Sequence, residues 1–158
     1  MKLFVISDTH GNISEALRII DENNDIDTII HLGDMDKDAK AISAHTDKDV
    51  IGVRGNNESS YCLTPEYRIL ETEYGNILLA HGHREQVGID LQRLVYRALE
   101  AECKAAFFGH THTPLYEEID GIYVLNPGSL ALPLRQASGS YAIVDISKDE
   151  FKASIFHL

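Results

Sequence analysis

The sequence predicts an α/β fold of two sheets with helices packed outside them. Two observations carry that expectation. The first third of the chain alternates short, β-branched apolar runs with amphipathic stretches, the pattern of a parallel sheet with right-handed crossovers. The remainder carries three hairpin signals, which imply antiparallel strands in a second set. At 158 residues, with no repeat, linker or low-complexity stretch, residues 1–158 read as one domain.

Element by element, Lys2 to Ser7 reads as a buried strand that stops abruptly. Asn12 is then placed to N-cap a helix, with Glu15 three residues on as in a capping box, and Ile13, Ala16, Leu17 and Ile20 share one helix face. Thr28 to Leu32 is the second strand, and a weaker helix follows around Asp38 to Ala44. Asp49 to Val53 is the third strand. Tyr67 to Glu73 and Asn76 to Ala80 flank Tyr74-Gly75 as a hairpin. From about Ile89 to Glu102 the apolar residues Leu91, Leu94, Val95, Ala98 and Leu99 repeat at helical spacing. Lys104 to Phe108 is another strand. Leu115 to Ile119 and Ile122 to Leu125 bracket Asp120-Gly121, the strongest short hairpin signal in the chain. Tyr141 to Ile146 and Phe151 to Phe156 form a last hairpin.

Composition narrows the function classes. A net charge of −11 with His neutral argues against stable nucleic-acid binding and against docking on an anionic membrane, since both need clustered Lys and Arg. The longest apolar runs, such as Leu3–Ile6 and Ile77–Ala80, are far too short to span a bilayer, and residues 1–12 lack the features of a signal peptide. Cys62 and Cys103 are isolated, so they form neither a disulfide framework nor a metal clip, and a cytoplasmic location is expected.

Five polar islands follow the expected strands: Asp8-Thr9-His10 with Gly11-Asn12, Gly33-Asp34, Gly55-Asn56-Asn57-Glu58, His81-Gly82-His83 and Gly109-His110-Thr111-His112. Each alone is an ordinary loop or turn. Their shared position matters more, because ligands of α/β sheets bind where strand ends converge. Asp8 and His10, one residue apart, point to the same side if the backbone stays extended. Together the islands supply two carboxylates, at least four imidazoles and a carboxamide, enough for two metal ions.

This succession, with the later Asn126-Pro127-Gly128-Ser129, resembles the calcineurin-like metallophosphoesterase superfamily, and most of all its small single-domain bacterial and archaeal phosphodiesterase branch. The resemblance covers nearly the whole chain. It implies a four-layer α/β/β/α sandwich of two mixed sheets with flanking helices, and a dinuclear site at the sheet edge. By position, one ion takes Asp8, His10 and His112, the other takes Asn56, His81 and His110, and Asp34 bridges them. His81 is chosen over His83 because the family pattern uses the first histidine of His-Gly-His. The implied reaction is in-line hydrolysis of a phosphodiester by a hydroxide that bridges the ions. Two divalent ions, two carboxylates and the hydroxide leave one net positive charge, which a diester monoanion neutralises.

The sequence departs from many superfamily phosphatases at residue 57, where a histidine that assists the leaving group is replaced by Asn57. His83 has two readings, a contact to substrate phosphate and a structural hydrogen bond. His31 reads as a hydrogen-bonded core group, His45 and His157 as surface residues, Arg54 and Arg84 as phosphate clamps or simple ion pairs, and Asp36 and Asp38 as helix N-terminal charges. Gly128 and Ser129 either turn the chain or aim backbone N–H groups at the site. The mixed N/O ligand set suits Mn, Ni, Zn, Fe or Co, with Mn favoured. The partners expected are a small phosphodiester and, as in much of the family, a further copy of the chain. The rival class is a non-catalytic scaffold resembling a retromer subunit with a decayed metal site; competent residues at all seven ligand positions disfavour it.

Overall fold

The computed structural model describes residues 1–133 and 138–158. The elements run β1 (Lys2–Ile6), α1 (Ser14–Glu22), β2 (Thr28–His31), α2 (Asp36–His45), β3 (Asp49–Gly52), β4 (Tyr67–Leu70), β5 (Asn76–Ala80), α3 (Gln92–Glu100), β6 (Cys103–Phe107), β7 (Leu115–Ile119), β8 (Ile122–Asn126), β9 (Ser140–Ile146) and β10 (Phe151–His157). They form two five-stranded mixed sheets, ordered β10-β9-β1-β2-β3 and β4-β5-β6-β8-β7. In the first, β1, β2 and β3 are parallel and β9 runs antiparallel to β1. In the second, β5, β6 and β8 are parallel, while β4 and β7 close the edges antiparallel.

Strand alternation builds the layers. Leu3 and Val5 of β1 point towards Ile77, Leu79 and Phe107 of the other sheet, forming the core between the sheets. Their neighbours Phe4 and Ile6 face the opposite way, onto Ala16, Ile19 and Ile20 of α1 and Ile42 of α2. On the second sheet Leu78, Ala80 and Ala106 pack against Leu94, Val95 and Ala98 of α3. The result is the four-layer α/β/β/α sandwich. Each of these strands overlaps a strand read from the sequence, and Asp120 and Gly121 both take positive φ, as the two-residue hairpin turn requires.

Three local expectations need correction. Asn12 does not cap α1. The helix starts two residues later, at Ser14, behind Ile13, and no side chain caps it. Asn12 is still in the preceding turn: its N–H donates to Thr9 O at 2.9 Å and its Oδ1 accepts from Ser14 Oγ at 2.9 Å. The third helix begins at Gln92 rather than Ile89, with Asp90 Oδ1 accepting from Gln92 N. The strand expected to run to Glu73 ends at Leu70, where Thr72 turns the chain by donating its hydroxyl to Gly75 O.

Candidate metal centre

The parallel strands β1, β2, β3, β5 and β6 deliver their carboxyl ends to one edge, so the site straddles both sheets. Asp8, Asp34, Asn56, His81, and the pair His110 and His112 each follow one of these strands within a few residues. Two groups of ligand atoms form there. Asp8, His10 and His112 make one, Asp8, Asp34 and His81 the other, and within each group the ligand atoms lie within 4.8 Å of one another. Asn56 joins the second, its Oδ1 2.9 Å from His81 Nε2. The His110 ring lies 5.1 Å, centroid to centroid, from that of His81.

The backbone of these loops is not extended. Asp8, His10, Asp34, His110 and His112 all have positive φ, between 45° and 66°. This corrects the simple alternation argument for Asp8 and His10: both side chains reach the site because the chain coils left-handed through them. Non-glycine residues enter that region rarely and at some cost, and such strain concentrates at functional sites. The flanking glycines allow close approach as well as turning. A Cβ on Gly55 would sit 2.1 Å from Asp34 Oδ1, and one on Gly109 would sit 1.9 Å from Ser7 Oγ.

Hydrogen bonds orient the acceptors. His81 Nδ1 donates to Leu32 O at 2.7 Å and His112 Nδ1 donates to Leu132 O at 2.8 Å. Each Nε2 lone pair is thereby turned towards a carboxylate: His81 to Asp34 Oδ1 at 3.4 Å, His112 to Asp8 Oδ1 at 3.2 Å. Asp8 Oδ2 accepts from Ser7 Oγ at 2.5 Å and from His110 N at 3.0 Å. Asp34 accepts from Asn57 twice, backbone N to Oδ1 at 3.0 Å and Nδ2 to Oδ2 at 2.7 Å. Asp8 Oδ1 and His10 Nε2 are buried without a hydrogen-bond partner.

Acceptors facing acceptors across about 3 Å, with two buried lone pairs left over, need cations between them. The donor set of carboxylate, imidazole and carboxamide fits two divalent metal ions. The electrostatics agree. Burial opposes the Asp8 charge, but the adjacent His112 and His81 and the bond from Ser7 together hold its carboxyl below the usual range. The Asp8 carboxylate, 3.2 Å away, in turn raises His112. Burial, then His81, lowers His110 and His83, which favours their neutral forms and, for His110, the form that binds a metal.

His83 is half-buried at the margin, its ring 5.4 Å from that of His81 and its Nδ1 without a partner. Arg84 pairs with Glu66 at the surface, Arg54 donates to Cys62 O, His45 bonds Asp21, and His157 is exposed. Gly128 and Ser129 belong to a tight turn: Gly128 N donates to Asn126 Oδ1, while Ser129 Oγ donates to Asp8 O and accepts from Leu132 N.

His31 is fully enclosed, and Asp38 does more than its position at a helix start suggests. Gly33 N donates to His31 Nδ1, His31 Nε2 donates to Thr9 Oγ1, and Thr9 Oγ1 donates to Asp38 Oδ2 at 2.7 Å. Asp38 Oδ2 also accepts from Gly11 N at 2.7 Å. This chain ties both carboxylate loops to α2. Glu58 similarly takes the Asp36 N–H on both its oxygens. Sequence reading missed these supports, because a short-range pattern does not show which buried donor a helix carboxylate will meet.

Comparison with known proteins agrees with this geometry. Residues 1–149 match the family model described as the calcineurin-like phosphoesterase superfamily domain. A probable metallophosphoesterase from Methanothermobacter thermautotrophicus is 34% identical over 98% of this chain and 91% of its own length. A Streptococcus pneumoniae protein described as a predicted phosphoesterase superposes with a TM-score of 0.82 at 27% identity, covering 99% of this chain and 88% of that one. A solved archaeal phosphodiesterase gives 0.78 at 25% identity, over 99% of this chain and all of the other (100%). With two potential metal sites built from its own side chains, this chain belongs to the calcineurin-like phosphoesterase superfamily and is a divalent-metal-dependent phosphoesterase.

Proposed function

We propose that the enzyme is a phosphodiesterase, working as a single domain in the cytoplasm with manganese as the favoured metal. The observation that supports it most is the charge of the ligand set. Only Asp8 and Asp34 are anionic; His10, His112, Asn56, His81 and His110 serve as neutral ligands. When bound, two divalent ions supply Lewis-acid polarisation of the phosphoryl group and an activated water at neutral pH. The two carboxylates under-compensate them, which suits a substrate of low negative charge such as a diester monoanion.

The roles of individual residues follow from their bonds. Asp8, His10 and His112 hold one ion, Asn56, His81 and His110 the other, and Asp34 serves both. Asn57 acts through Asp34: its backbone N–H and one Nδ2–H donate to that carboxylate and fix where its oxygens point. A carboxamide is not an acid at neutral pH, so Asn57 gives no proton to a leaving alkoxide. On this reading His83, half-buried beside His81, donates a hydrogen bond to the substrate's leaving oxygen.

The test is a series of aryl phosphodiesters and monoesters of graded leaving-group pKa. Diesters should exceed matched monoesters in kcat/KM by about 10²-fold or more, the scale of a missing general acid. In His83→Ala the dependence on leaving-group pKa should steepen. Monoesters turned over faster than diesters would refute the reading.

A further inference from the structure

Beside the metal centre lies an open cleft of about 610 Å³, within the usual size range of ligand sites. His110 lines both, so the cleft and the centre are continuous. Val87 and Phe108 form its buried floor, Leu91 and Leu115 its half-buried walls, and Ile89, 80% exposed, overhangs its mouth. Among the described residues no lysine or arginine lines it, and Asp90 is the charged group there. The surface on the other flank, past Asn57, differs in kind: a smaller cleft of about 320 Å³ carries Lys37, Lys40, Asp36 and Glu58.

We infer that this cleft is the subsite for one ester arm of the substrate, and that the arm is apolar or aromatic and uncharged. The inference rests on the phosphodiesterase reading and narrows it. A second phosphate on that arm would meet the exposed Asp90 with no lysine or arginine of the cleft to offset it, which disfavours a nucleotide polyphosphate tail on this side. An aromatic ring or short acyl chain instead removes its own surface and that of Ile89, Leu91 and Leu115 from water. Ile89 is contiguous with the apolar floor and walls of the cleft, so a ligand that covers it takes a joined apolar surface from water.

The probes are inorganic phosphate, methylphosphonate and phenylphosphonate, bound to metal-reconstituted protein and followed by calorimetry and methyl NMR. Phenylphosphonate should bind about tenfold more tightly than methylphosphonate, from the extra apolar area buried. It alone should shift the methyl signals of Ile89, Leu91 and Leu115. In Ile89→Asp, an exposed position whose change leaves the core intact, the tenfold ratio should fall towards one while inorganic phosphate still binds. A ratio near one in the unaltered protein, or a ratio unaffected by Ile89→Asp, overturns the subsite. If neither phosphate nor either phosphonate binds, the phosphoesterase reading of the centre fails, and the subsite with it.

Discussion

Asp38→Ala separates two accounts of one carboxylate. As a helix N-terminal charge, Asp38 contributes about 0.3–1 kcal/mol through the macrodipole. In the structure it is 5% exposed and accepts from Thr9 Oγ1 and Gly11 N, both at 2.7 Å. A hydrogen bond to a charged group contributes about 1.5–3 kcal/mol, and the Thr9 hydroxyl would be left buried while the exposed Gly11 N–H turns to water, so the loss should be about 3–4 kcal/mol. For a chain of this length that lowers Tm by about 10 °C, against about 2 °C for the surface charge alone. Asp38→Asn keeps an oxygen where Oδ2 stands, so it should retain roughly half of the stabilisation. Because Thr9 lies between Asp8 and His10, the alanine variant should also bind metal about tenfold more weakly, the usual scale for a group that orients ligands. The assays are thermal unfolding with and without metal, and metal titration against a chelator. A Tm shift below about 2 °C in Asp38→Ala, with metal affinity unchanged, would refute the argument.

Two other outcomes are expected. Gly109→Ala places a methyl 1.9 Å from Ser7 Oγ and 2.8 Å from Asp8 Oδ2, so the variant should lose metal-dependent activity even where circular dichroism shows it folded; near-normal activity would show that the loop yields. Burial, the largest influence, pushes the His31 imidazole down to about 4 from its ordinary value of 6.5. Between these values the unfolded chain binds a proton that the native state refuses, so stability falls as pH drops through the window, by about 2 kcal/mol at pH 5. Denaturant unfolding at pH 7.5 and pH 5 should show this loss, and His31→Asn should lack it; equal losses in both proteins would place the acid sensitivity elsewhere.

Much of this was legible before the structure. The strands were legible because alternate residues of β1 must satisfy two cores, Leu3 and Val5 one and Phe4 and Ile6 the other, which forces a continuous apolar run. The site was legible because its ligand-type residues cluster just past strand ends. Three things were not. Positive φ at Asp8, His10, Asp34, His110 and His112 was not read, because Asp and His enter that region more readily than other side chains but most of them stay out of it, and the tertiary bonds that decide are not local. The start of α1 was misread because Asn12 has cap chemistry whether or not its backbone is at the cap. The support from Asp38 and Glu58 depends on contacts made between loops and α2.

The central claim is that the buried acceptors of this edge are held together by two cations that the reaction needs. Elemental analysis of protein stripped with chelator and then reconstituted tests it most directly, read beside diesterase activity on the same samples. The account predicts about two divalent ions per chain, activity that rises with occupancy, and Asp34→Asn losing both together. Full activity in rigorously metal-free protein would contradict it.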